Sequence, residues 1–188
     1  MHPIKHFKTI TAHRHEVMRD CFRVGLYRQG LLHDLSKYSP EEFWQGAKYW
    51  EGVRSPNAKA REVEGWSTAW MHHKGRNKHH YEYWTDLNKQ TRQYEPVPMP
   101  TRYLVESVMD RIAACKTYRG KDYEDGAALD YLYKAQETPL LHPQTYRELE
   151  MILTMLRDKG ESRTFAFLRE IVLREVPFEQ WAAWEKEY

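Results

Sequence analysis

The feature that most restricts the fold of this chain is the helical spacing of its apolar residues. It is clearest in TRYLVESVMDRIAACKTY, residues 101–118. The apolar positions recur there at intervals of three and four: Leu104, Val108, Ile112 and Cys115. This spacing places them on one face of an α-helix, whereas the alternation typical of half-buried strands is almost absent from the chain. The sequence therefore predicts an all-α fold.

Charge and cysteine content narrow the class of protein further. The net charge of +2 over 188 residues is too small for a typical nucleic-acid binder, so a nucleic-acid partner is not expected. Two cysteines cannot form a disulfide framework, which favours a reducing, cytoplasmic location. No apolar run approaches the roughly 18 residues of a membrane span, so no contact with a membrane is predicted.

Capping signals divide the first part of the chain into short helices. A first helix is expected to begin at a threonine cap, Thr9 or Thr11, with His13 on its apolar face. A second, short helix contains LLHDLSKY, residues 31–38. The next helix opens at SPEEF, where Ser39 is the predicted cap, proline takes the first position and a glutamate completes a capping box.

The middle of the chain predicts two more helices before the one at residues 101–118. One is expected near residues 57–73, ending at Gly75. The other is KHHYEYWTDL, which Asn77 would cap, so that His79 and His80 lie in its first turn. The positive end of a helix lowers the pKa of an imidazole, which favours the neutral form that binds metal. The following segment, QYEPVPMP, indicates a proline-rich loop.

Histidine is concentrated in a way that suggests a metal site. The chain has ten histidines, most of them in residues 2–15, at position 33 and in residues 72–80. Any single histidine is more often a surface or hydrogen-bonded core residue than a ligand. However, His33 and Asp34 would point about 100° apart on a helix, so they cannot both serve one packing face. Both could instead converge on one metal ion.

The order of these residues resembles the HD-domain superfamily of metal-dependent phosphohydrolases, and HDLSK is similar to its signature. Over residues 5–120, three segments resemble a family of small bacterial and phage proteins of unknown function within that group: HDLSKYSPEEF, AWMHHKGRNKHHYEYW and MPTRYLVESVMDRIAA. The resemblance implies a single HD-domain-like helical bundle with extra C-terminal helices. Residues 1–124 would form the metal-binding core. The resemblance thins out beyond them, and we expect residues 125–188 to form a helical extension packed on this core, which supplies further core residues or a lid and no catalytic residue. Helices around 144–158 and 161–175 and a tryptophan-rich tail are expected in that extension.

The resemblance also implies a set of metal ligands: His13, His33, Asp34, His73, His79, His80 and Asp110. The histidine of the first helix, the signature pair and the closing aspartate would hold one divalent ion. His73, with either His79 or His80, would hold a second, and Asp34 would bridge both. His15 ranks behind the first-helix ligand, and His72 is not expected to bind. Nitrogen and carboxylate donors without thiolate suit Mn, Fe, Co, Ni or Zn. A structural zinc site is the competing interpretation, although such sites are usually rich in cysteine.

The implied activity is hydrolysis of a phosphoester by metal-activated water, on a small phosphorylated substrate such as a nucleotide. Asp34, Asp110 and Lys37 are the candidate catalytic residues. Nearby basic and amide side chains could bind the phosphate: Lys37, Lys74, Arg76, Asn77 and Arg111.

Two alternatives keep the metal site and change its use. One is a di-iron oxygenase of the HD type. The other is a non-catalytic, metal-stabilised module that binds a nucleotide or a partner. In that module the tryptophan-rich tail and the aromatic third helix could form a partner surface or a homodimer interface.

Overall fold

The computed structural model describes residues 1–134, 140–184 and 186–188. Within them lie nine α-helices: α1 Pro3–Arg23, α2 Tyr27–Leu32, α3 Pro40–Tyr49, α4 Pro56–Glu64, α5 Thr68–Lys74, α6 Thr101–Arg119, α7 Ala127–Lys134, α8 Pro143–Glu170 and α9 Trp181–Trp184. Two short strands, β1 Thr85–Leu87 and β2 Tyr94–Pro96, form an antiparallel hairpin. The all-α prediction is confirmed. Five positions of the predicted extension, residues 135–139, and Glu185 lie outside the described residues.

The first helix begins earlier than the sequence indicated. α1 starts at Pro3. Proline suits the first position of a helix because it lacks a backbone N–H group, and an N–H group at that position would have no partner within the helix. The predicted start at Thr9 or Thr11 is therefore wrong. α1 packs against α2, α3 and α6 and buries Ile10, His13 and other residues of the same face.

The predicted helix over LLHDLSKY is interrupted at the histidine–aspartate pair. α2 ends before His33, and Asp34 adopts a left-handed backbone conformation with φ 55° and ψ 24°. A 3₁₀ turn, Leu35–Tyr38, follows. Aspartate tolerates this conformation better than most residues do. The turn directs both side chains inward, and His33 is 2% and Asp34 1% exposed.

The next helices differ from the prediction in their ends. α3 begins at Pro40 as expected, but Ser39 makes no side-chain capping bond. Glu42 does not complete a capping box, because its carboxylate lies against two histidine rings of α5 instead. The helix predicted near residues 57–73 is divided into α4 and α5, because the chain turns at Gly65 with φ 83°.

The segment around His79 and His80 is not a helix. Both residues lie in the turn between α5 and a 3₁₀ turn at Tyr81–Tyr83, and the hairpin follows. The prediction of a helix here is wrong, and so is the helix-dipole argument for these two histidines. The loop between the strands is stabilised by Asn88, whose side-chain oxygen accepts a hydrogen bond from the backbone N–H of residue 90 at 2.8 Å.

α6 runs through the hydrophobic core as predicted, with Leu104, Val108 and Ile112 at most 1% exposed. The C-terminal part supplies the opposite side of that core through α7, α8 and the tail, where Trp181 is 3% exposed. α7 was not predicted. The two helices expected around 144–158 and 161–175 correspond to the two halves of α8, which is broken at Gly160. Among the described residues, no helix is both long and apolar enough to cross a membrane.

Candidate metal centre

Asp34 lies at the centre of a buried group of histidines and carboxylates. Its Oδ2 atom is 3.3 Å from Nε2 of His33 and 3.8 Å from Nε2 of His13. Asp110 closes this side, with Oδ1 2.9 Å from the same His13 nitrogen and 3.5 Å from that of His33. Side chains from α1, α6 and the turn after α2 thus present four ligand atoms within 4.8 Å of one another.

The other oxygen of Asp34 faces a second set of histidines. Oδ1 is 3.2 Å from Nε2 of His73 on α5 and 3.4 Å from Nε2 of His79 in the following turn. His80 belongs to the same set, whose ligand atoms also lie within 4.8 Å of one another. Asp34 therefore belongs to both sets, and each of its oxygens faces a different one.

His79 and His80 reach this cluster differently. Nε2 of His79 is also 3.9 Å from Oδ2 of Asp110, so this ring lies between the two sets. The ring of His80 packs against Trp70 and His73, with centroid separations of 4.7 and 4.8 Å. His79 is the better placed of the two to share a cation with the carboxylates.

Several atoms that face into the cluster are buried and have no hydrogen-bond partner among the described residues: Nε2 of His33, His73, His79 and His80, and Oδ1 of Asp34. Buried polar atoms in proteins nearly always have a partner, because an unpartnered one costs free energy. Imidazole nitrogens and carboxylate oxygens are ligand atoms for divalent transition metals. The residues present thus fit one or two such cations.

Two buried carboxylates contact the Nδ1 atoms of these histidine rings, on the side away from the cluster. Oε1 of Glu106 is 2.9 Å from Nδ1 of His33 and 3.2 Å from Nδ1 of His79. Oε2 of Glu42 is 2.7 Å from Nδ1 of His73. A carboxylate at Nδ1 favours the tautomer that carries its proton there, which leaves the Nε2 lone pair directed at the cluster.

Neither carboxylate was identified from the sequence. Glu106 lies four residues before Asp110, so the two share a face of α6, and that spacing is a signal that could have revealed it. Glu42 gave a misleading signal, because its position after a serine and a proline also fits a capping box.

The charges of the cluster compensate one another. Burial acts to lower the pKa of His33, but the carboxylates of Asp34 and Asp110 beside it raise that pKa well above its usual value. Burial acts to raise the pKa of Asp34, but the charges of His33 and Lys37 hold it well below its usual range. Burial lowers the pKa of His80 well below its usual value. A cation that binds His33 would therefore displace a proton.

The cluster opens into a cavity of about 680 Å³. This volume lies within the range of about 300–1,000 Å³ that is typical of small-molecule sites. Lys37 and Arg111 line its wall beside His13 and Asp110. Nζ of Lys37 is 2.6 Å from Oδ2 of Asp34, so a positive charge lies directly at the edge of the cluster.

The other three predicted substrate-binding residues are not part of the cavity wall. Lys74, Arg76 and Asn77 are not among the residues that line it. Arg76 is exposed, whereas Asn77 donates a hydrogen bond to the backbone oxygen of His73 at 2.8 Å and so stabilises the turn after α5. The cavity wall gives no support to the substrate-binding role predicted for these three residues.

The two histidines that were not favoured as ligands also lie outside the cluster. His15 is exposed on α1. His72 forms a hydrogen bond through Nδ1 with Glu42 at 2.7 Å.

Fold and site together describe an all-α protein with a buried histidine–aspartate cluster that opens into a cavity. A family model matches residues 2–155, and its description is a family of unknown function, DUF5662. The match covers more than half of the chain, so the chain belongs to this family. All residues of the cluster lie within the matched region. No curated protein and no solved structure matches the chain.

Proposed function

We propose that this protein is a metal-dependent phosphohydrolase of the HD-domain type, which holds one or two divalent transition-metal ions and hydrolyses a small phosphoester. Support from the sequence comes from HDLSK and from the order of the surrounding histidines and aspartates. A second line of support is the cavity, which has lysine and arginine on its wall next to the cluster.

The observation that carries the proposal is the position of Asp34. One of its oxygens faces His33 and His13, and the other faces His73 and His79, at distances between 3.2 and 3.8 Å. A carboxylate placed in this way suits a bridge between two cation sites. His13, His33, Asp34 and Asp110 would hold one ion, and Asp34, His73 and His79 the other, with His80 beside them.

Divalent ions held there would supply acidified water and neutralise the charge of a phosphoryl group. The roles of the chain itself follow from its charges. Lys37 acts on a phosphate oxygen as a point charge, and Arg111 can bind phosphate with two parallel hydrogen bonds. Asp110 orients the attacking water from α6. The buried ring of His33 is held in one orientation, because Glu106 lies behind it.

The test is a screen of phosphomonoesters and nucleotides with Mn²⁺, Fe²⁺, Co²⁺, Ni²⁺, Zn²⁺ and Mg²⁺. We expect turnover with at least one transition metal, and its loss in Asp34→Asn, which keeps the size of the side chain. His15→Ala is the matched control, because it removes an exposed histidine of α1 and should leave turnover unchanged. Turnover that survives in Asp34→Asn would contradict the proposal.

The same purified protein also distinguishes the proposed hydrolase from the oxygenase and the binding module. Two irons per chain after anaerobic purification, with oxygen consumption and without phosphate release, would favour a di-iron oxygenase. Metal binding without turnover of any substrate would favour a binding module.

A further inference from the structure

The wall of the cavity continues along α6 beyond the metal cluster. Asp110, Ala114 and Tyr118 all line it, and their spacing of four residues places them in one row on the helix. All three keep part of their surface accessible. Because Ala114 carries only a methyl group, the row leaves space between the carboxylate at one end and the tyrosine at the other.

The side chain of Tyr118 reaches back toward the cluster. The Cα atoms of Asp110 and Tyr118 are about 12 Å apart along the helix axis. Side chains on a helix tilt toward its N-terminus, so the long side chain of Tyr118 extends over Ala114 and shortens this gap. Burial raises the pKa of Tyr118, the ammonium of Lys37 lowers it and the carboxylate of Asp110 raises it, so the hydroxyl group lies near both charges.

This hydroxyl group is accessible from the cavity and carries its proton. Among the described residues none forms a hydrogen bond with it, and its oxygen is not one of the fully buried atoms without a partner. The net effect of burial and of the two charges is a raised pKa, so the group is protonated at neutral pH. Tyr118 is therefore a potential proton donor on the cavity wall.

The proposed hydrolysis requires a proton for the oxygen of the leaving group. Asp110 orients the attacking water, and Lys37 and Arg111 bind oxygens of the phosphoryl group. In phosphoryl transfer the attacking and leaving oxygens lie roughly in line with phosphorus. With the water beside Asp110, the leaving oxygen points along the row on α6 toward Tyr118.

We propose that Tyr118 donates this proton. The inference rests on the proposed function and adds a catalytic residue to it. Hydroxide formed from the water attacks phosphorus, the bond between phosphorus and the leaving oxygen breaks with its electron pair on that oxygen, and the Tyr118 proton converts the leaving group into an alcohol. The ammonium of Lys37 stabilises the phenolate, which regains a proton from solvent and so balances the proton that the water lost.

The first experiment varies the basicity of the leaving group. Hydrolysis of n-pentyl, phenyl and 4-nitrophenyl phosphate is measured with the metal ion that gives the highest turnover. Proton donation matters most when the leaving oxygen is strongly basic. We expect Tyr118→Phe to lower kcat/KM about a hundredfold or more for n-pentyl phosphate, less for phenyl phosphate and less than about threefold for 4-nitrophenyl phosphate. Tyr103→Phe is the matched control, because Tyr103 is a half-buried tyrosine of α6 outside the cavity wall, and it should leave all three rates unchanged.

The second experiment needs no turnover. Zn²⁺-loaded protein labelled with 3-fluorotyrosine is titrated with inorganic phosphate, and the ¹⁹F signal that is missing from Tyr118→Phe identifies Tyr118. Inorganic phosphate has an oxygen at every position around phosphorus, including that of the leaving oxygen. We expect the Tyr118 signal to shift during the titration and the Tyr103 signal to stay unchanged.

The outcomes separate this inference from the proposed function. If the wild type hydrolyses the esters but Tyr118→Phe loses activity equally on all three, or on none, the role of Tyr118 as proton donor is overturned and the hydrolase stands. A Tyr118 signal that does not shift with phosphate also overturns that role. If the wild type hydrolyses none of the esters with any metal ion, the proposed function fails and the role of Tyr118 fails with it.

Discussion

Glu106 and Asp110 lie one turn apart on α6 and face the two nitrogens of the same imidazole. Oε1 of Glu106 is 2.9 Å from Nδ1 of His33, and Oδ1 of Asp110 is 3.5 Å from Nε2. A single helix thus sets both the tautomer of this ring and the direction in which its free nitrogen points.

Glu106→Gln should weaken metal binding without removing a ligand. The amide keeps the size of the side chain but loses the negative charge that holds His33 and His79, so we expect the affinity for Mn²⁺ to fall about tenfold to a hundredfold. Competition with a chelating dye measures this affinity. Glu42→Gln is the matched variant, because Glu42 contacts Nδ1 of His73. We expect a smaller loss of Mn²⁺ affinity in this variant, confined to one binding step. Unchanged affinity in both variants would show that these carboxylates do not act on the cluster.

The number of bound ions should depend on which residue is removed. If Asp34 bridges two ions, His13→Ala and His73→Ala should each lose one ion. Asp34→Asn should lose both, because Asp34 faces both histidine sets with its two oxygens. Mass-spectrometric metal analysis of the purified variants gives the stoichiometry. Loss of the same single ion in all three variants would instead indicate a mononuclear site.

Gly46→Ala should destabilise the fold through His6. The added methyl group overlaps the imidazole at 2.3 Å, and such overpacking costs about 1–3 kcal/mol. Urea denaturation measures the free energy of unfolding. The double variant with His6→Ala should lose less than the sum of the single changes, because the overlap is gone. Gly75→Ala is the control, since the new Cβ would meet its nearest neighbour at an ordinary 3.4 Å. Additive effects would contradict the close contact.

Lys116→Met should destabilise the protein more at pH 7 than at pH 4. Burial raises the pKa of the fully buried Asp20, and Lys116, 3.4 Å away, opposes that rise. The folded state thus binds more protons than the unfolded state between the ordinary and the raised pKa, so stability falls as the pH rises through this window. Removing Lys116 raises the pKa of Asp20 further and so widens this pH window.

We expect a loss of about 2 kcal/mol at pH 7 and a smaller one at pH 4. Urea denaturation at both pH values measures the difference between variant and wild type. The exposed Lys121→Met should have little effect at either pH. Glu16 and Glu161 also pair with Lys116. An equal loss at pH 4 and pH 7 would show that Lys116 acts through packing rather than through the charges of Asp20 and these two glutamates.

The sequence was most informative where helical periodicity is regular. The apolar face of α6 was predicted, and with it the position of Asp110 beside that face. His13 was likewise placed on the inner face of α1, although the start of that helix was wrong. The predicted ligands do lie together, and whether they bind metal stays a prediction.

Features that depend on the tertiary structure were not predicted. The environment of His6 depends on a missing side chain at Gly46, forty residues later, and no local pattern records that relationship. Glu42 has a local signal for capping, but two histidines on another helix compete for its carboxylate. His79 reaches the cluster from an irregular turn, where neither helical nor strand periodicity applies.

The left-handed backbone at Asp34 limits which residues could replace it. Asparagine tolerates this conformation about as well, so exchanging the two would change charge with little change in backbone energy. Alanine would add conformational strain, and glutamate would place its carboxylate one methylene further into a crowded centre. Replacing Asp34 by every other amino acid should therefore separate two effects. The amount of folded protein should be retained with asparagine or glycine, whereas any cation-dependent property should require aspartate.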